Sequence, residues 1–119
     1  GSRELVLATN KIDDRLYLVD LTNKKVVAQP HQIQEVHTDE ARHRIIALAT
    51  TADGARFFID TLNKSIVSGP LSGFTDILMI HRHQNVLFTQ VVNEKGARFY
   101  LNVDTGAILS DRDLYQLLR

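Results

Sequence analysis

The five histidines of the chain stand at His31, His37, His43, His81 and His83. Side chains on an extended strand alternate between its two faces, so His81 and His83, two residues apart, project the same way and can present two imidazoles to one zinc or copper ion. Strand ends and turns also carry histidine as a solvated residue, and both readings use the same positions. Arg15, Arg56 and Arg98 each open an apolar run. There a guanidinium can take a carboxylate or sugar acid bidentately, or lay its stem over apolar neighbours. The aromatics Tyr17, Phe57, Phe58, Phe99 and Tyr100 lie on the same runs and read as core, not as a stacking platform. No Ser-His-Asp arrangement, phosphate-binding loop or paired-carboxylate context stands out, and the six glycines are scattered among turns. The chain reads as a non-enzyme, and no cofactor is expected.

The elements that must position these residues are strands. Short runs of Val, Ile, Leu, Phe, Tyr and Thr recur, each bounded by Asn, Asp, Gly or Lys. Glu4 to Asn10, Arg15 to Asp20 and Lys25 to Gln29 make a three-strand meander that Pro30 stops. A strand from Ile33 to Val36 then leads to Arg44 to Thr50 and, across the Asp53-Gly54 hairpin turn, to Arg56 to Asp60. Ile77 to His81, Val86 to Val92 and Arg98 to Asn102 follow the same order. Three runs, Arg15-Leu-Tyr-Leu-Val-Asp20, Arg56-Phe-Phe-Ile-Asp60 and Arg98-Phe-Tyr-Leu-Asn102, recur at a spacing of roughly 40 residues, and each leads through a turn to an apolar pair, which marks a repeat architecture. With the strands of one unit lettered A to D, the chain reads BCD, ABCD, ABCD, and Asp113 to Leu118 is expected to be the missing A. A short helix capped by Ser110 or Asp111 is the rival for that last segment.

The segments Leu18-Val-Asp-Leu-Thr-Asn-Lys-Lys-Val-Val-Ala28 and Ile59-Asp-Thr-Leu-Asn-Lys-Ser-Ile-Val67 resemble the blades of bacterial β-propellers of the surface-repeat type, in which a strand ends in Ile-Asp-Thr, a turn carries Thr-Asn-Lys and Val-Val-Ala leads outward. The third copy, Asn102-Val-Asp-Thr-Gly-Ala-Ile108, fits loosely. The resemblance implies an all-β, propeller-like chain of three four-strand repeats. Three blades do not close a propeller. Two chains forming a six-bladed ring, each lending its last strand at the join, would remove the open edges. A β-trefoil, which also has three repeats and closes as a monomer, is the alternative. Asp104-Thr-Gly106 looks like the catalytic loop of retroviral-type aspartic proteases, where one Asp from each subunit shares a proton. Only 13 residues follow Gly106, too few for the flap and wall segments of that family, and a strand-to-strand turn accounts for the same residues.

The chain has 119 residues, 14 basic and 14 acidic, and no cysteine. Its net charge of zero supplies no field to draw it onto nucleic acid or an anionic membrane, and disulfides and thiolate metal sites are excluded. No apolar stretch reaches the roughly 18 residues of a membrane span, so a soluble chain is expected, with its compartment undetermined. Gly1-Ser2 reads as a cloning remnant, and residues 3–119 as a single three-repeat β domain. The functional expectation is a non-catalytic module that presents rim loops to a protein partner, through Asp39, Glu40, Arg42, His83 and Gln84 in the A-to-B turns. A carbohydrate- or small-ligand-binding trefoil using Arg15, Arg56 and Arg98, and a small bacterial immunity or inhibitor protein, are the alternatives.

Overall fold

The structure is a computed structural model that describes residues 4–117. Gly1-Ser2 and Arg3, and Leu118 and Arg119 at the end of the segment expected to close the sheet, lie outside the described residues. Eleven strands and one short helix follow one another: β1 (Leu5–Thr9), β2 (Leu16–Asp20), β3 (Lys25–Ala28), β4 (Ile33–Asp39), β5 (Arg44–Thr50), β6 (Arg56–Asp60), β7 (Ser65–Leu71), β8 (Asp76–His83), β9 (Val86–Val92), β10 (Arg98–Asn102), β11 (Ile108–Leu109) and α1 (Asp111–Leu117). They form three antiparallel sheets, ordered β1-β2-β3, β4-β5-β6-β7 and β11-β10-β9-β8, with no closed barrel among the described residues. The chain divides into two compact units that meet at the end of β7, after Pro70. The first holds two sheets and the second holds one.

Local chemistry explains the strand ends. At the close of β2, Asp20 accepts hydrogen bonds from the Asn23 backbone (3.1 Å) and the Asn23 amide (2.8 Å). At the close of β6, Asp60 accepts the same pair from Asn63, at 3.2 and 2.6 Å. Asn102 ends β10 likewise, accepting from the backbones of Asp104 and Thr105. Each side chain mimics a backbone acceptor and folds the chain back. Lys24, Lys64 and Gly106 then take positive φ at the last position of each turn, which frees β3, β7 and β11 to return.

The core of the first unit lies between its two sheets. Leu7, Leu18 and Ala28 of the first pack with Ala47, Ala49, Phe57 and Ile59 of the second, small residues facing large ones. Leu18 is fully buried, which contributes about 2 kcal/mol. In the second unit Leu87, Val91, Leu101 and Val103 are buried, and the hydroxyl of buried Thr89 donates to the Met79 carbonyl at 2.6 Å.

The last segment corrects the expectation of a closing strand: Asp111–Leu117 is a helix. Ser110 Oγ accepts from the Asp113 backbone and Asp113 Oδ2 accepts from the Ser110 backbone, both at 3.1 Å. This reciprocal cap satisfies donors that a strand would have left to a neighbour, and Leu117 anchors the far end in the protein. The same hydrogen bonds hold the Asp113 carboxyl below its ordinary range. The β1 edge of the first sheet is therefore not paired with this segment.

Candidate functional site

The A-to-B turns place the expected partner-facing residues unequally. Glu40 and Arg42 lie exposed on a 3-10 turn, and Gln84 is exposed at positive φ in the β8–β9 turn beside half-buried His83. Asp39 is interior, 2% exposed, and its Oδ2 accepts from Arg44 Nε at 3.1 Å and Nη2 at 2.8 Å. It pins the two ends of the β4–β5 hairpin together.

His81 and His83 share a face of β8, as their spacing requires, and Met79 joins them there. Met79 Sδ is 2.6 Å from His81 Nε2, and the His81 ring lies 5.8 Å from that of Phe88. No group of three or more His, Cys, Asp or Glu side chains converges to hold a metal among the described residues. Asp104-Thr-Gly106 forms the β10–β11 turn, built on Asn102.

Register separates the three arginines. Arg56 pairs with Thr50 and Arg98 with Val92, whereas the residue that pairs with the matching Thr9 is Leu16. Arg15 thus corresponds to Ala55 and Ala97, one position ahead of the place that Arg56 and Arg98 hold. Arg15 lines an open groove of about 450 Å³ with Asp14, Glu35, Lys64 and Thr61. Two acids and two bases cancel there, Arg56 stands apart, and Arg98 belongs to the other unit.

The same register exposes a feature that residue types alone did not signal. The pairs Val6–Val19 and Ala8–Tyr17 of the first sheet match Ala47–Ile59 and Ala49–Phe57 of the second. In the second sheet these four are at most 3% exposed, because they pack on the first sheet. In the first sheet the counterparts form its outer face: Ala8 is exposed, Val6, Tyr17 and Val19 are half-buried, and Val26, opposite Val19, is 49% exposed. A contiguous apolar face therefore lies open where its twin is covered. At its margin the Tyr17 hydroxyl donates to Asp13 at 2.5 Å. That bond holds the Asp13 carboxyl below its ordinary range and raises the tyrosine. Compared with models of protein families, with curated proteins and with solved structures, the chain matches none.

Proposed function

We propose that this chain is a non-catalytic protein-interaction and assembly module, a propeller-like set of three β repeats whose work is to bind another sheet. The observation that carries this reading is the outer face of β1-β2-β3, whose residues duplicate in type and register a face that the chain itself buries. An apolar face of this kind, built on paired strands, marks a protein contact rather than a solvated surface. The propeller-like description rests on the shared strand order of the sheets and on the recurring Asp20, Asp60 and Asn102 turns. The surface this reading favours is the sheet face, with the exposed turn residues Glu40, Arg42 and Gln84 as a rim.

The test is a photoreactive residue at Val26, with a second at Ile12 as control, since Ile12 is 95% exposed but lies in the β1–β2 loop. Irradiation in the cells that naturally make the chain is expected to give a protein adduct from position 26 and none from position 12. No adduct from position 26 would reject the proposal.

A further inference from the structure

The first unit shows what kind of surface covers such a face. The outer-type face of β4–β7, carrying Ala47, Ala49, Phe57 and Ile59, is covered by the opposite face of β1-β2-β3, carrying Leu7 and Leu18. The pair Leu7–Leu18 has its register counterpart in the third sheet at Gln90–Tyr100, one step along from Phe88–Asn102, which matches Leu5–Asp20. The third sheet therefore owns a covering face, made of Phe88, Gln90 and Tyr100, extended by Met79 and His81 on β8.

That face is open as well. Met79 is 48% exposed, His81 is exposed, Gln90 and Tyr100 are half-buried, and Phe88 among them is buried at 7% exposed. Its side chains are already ordered among themselves: the Phe88 ring sits 5.8 Å from both His81 and Tyr100, and Gln90 Nε2 donates to the Tyr100 hydroxyl at 3.2 Å. A surface arranged before contact loses less entropy on docking. The chain thus carries an uncovered face of one type and a covering face of the other; the centre of the first (Val6, Val19, Val26) and of the second (Met79, Phe88, Gln90, Tyr100) bears no carboxylate, lysine or arginine, and Arg98 and Asp76 lie at one margin of the second. With zero net charge, two copies meet without long-range repulsion.

We propose that the occupant of the β1-β2-β3 outer face is a second copy of this chain, contributing its Met79, His81, Phe88, Gln90 and Tyr100 face in a head-to-tail contact. This rests on the assembly reading above and names its partner. Because the two faces differ, the contact is heterologous, and each copy offers one face to each neighbour.

The experiment is sedimentation equilibrium on the full chain and on two variants, Val19→Glu on one face and Met79→Glu on the other, with circular dichroism to establish that each variant retains its strands. The wild type is expected to self-associate. Each variant alone is expected to weaken the self-association at least a hundredfold, and an equimolar mixture of the two to recover a dimer, since one unmodified pair of faces survives in the mixture. Val26→Gln and Gln90→Leu, milder changes at the same faces, replace any variant that loses its strands, with weaker and stronger association expected respectively. A wild type that stays monomeric, or a mixture no tighter than its parts, overturns the proposal. So does association lost with Val19→Glu but kept with Met79→Glu, which would mean like faces meet. A monomeric wild type that nevertheless gives an adduct from position 26 with a different protein removes the second copy while leaving the interaction reading intact. A monomeric wild type with no adduct removes both.

Discussion

Asp39 and Asp60 show how buried carboxylates serve this chain. Asp39 holds Arg44 within the β4–β5 hairpin, so removing it takes the carboxylate away from a largely buried guanidinium. Asp39→Ala is expected to cost about 3 kcal/mol in urea unfolding, whereas Glu40→Ala on the neighbouring exposed turn should stay within about 0.5 kcal/mol. Asp60 is buried, which by itself raises its pKa, yet hydrogen bonds from the Asn63 side chain and from the backbones of Asn63, Ile45 and Leu62 outweigh that and hold it below its ordinary range. A carboxyl depressed by folding stabilises the native state above its unfolded pKa of about 3.9, and the contribution is lost as the pH falls through the lower native value. Acid unfolding followed by far-ultraviolet circular dichroism is thus expected to be less steep in Asp60→Asn, and that variant to be less stable than the parent at pH 7.

The hairpin is the element that sequence described best. β-Branched and aromatic runs marked the strands, and Asp-x-x-Asn or Asn-x-x-x-Gly marked where the chain turned, because the leading Asp or Asn side chain supplies the bond that closes the turn. The register of Arg15 was masked by a change of turn residue: the positive φ falls on Asp14 where the other two sheets have Gly54 and Gly96, and the offset shows only on counting from the strand end, Arg15 standing five residues before Asp20 while Arg56 and Arg98 stand four before Asp60 and Asn102. The last segment misled because its apolar residues suit a strand, while the Ser110–Asp113 cap decides for a helix. Gly69 in β7 tests the packing between strands. Its φ is +135°, and a Cβ there would lie 2.5 Å from Phe57 Cδ1 and 2.9 Å from the Arg56 carbonyl oxygen. Gly69→Ala is expected to cost about 3 kcal/mol in thermal or urea unfolding, where Gly54→Ala, with open space around it, should cost about 1 kcal/mol from its positive φ alone.

At the scale of the molecule, the open faces were illegible beforehand, since Val6, Ala8, Tyr17 and Val19 are the same kinds of residue as the buried Ala47, Ala49, Phe57 and Ile59. Pattern shows which face of a strand is apolar; only packing shows whether a neighbour is there. Association through faces whose centres are uncharged, in a chain with balanced charge, carries its own signature: the self-association is expected to change little between about 50 mM and 500 mM salt, where an ion-paired contact would weaken. Sedimentation across that range checks it. The eight-residue strand β8 lies at the margin of its sheet, and its pairing with β9 slips between Ile77 and Met79, leaving Leu78 as an extra residue. A bulge bends and twists such a margin, which spoils it as a flat template for stacked strands. Asp76-Ile-Leu-Met-Ile-His81 is rich enough in apolar residues to seed fibrils if laid straight. Deleting Leu78 would straighten it, and the long-term cost of losing that one leucine is expected to appear as amyloid growth on storage rather than as any loss of fold.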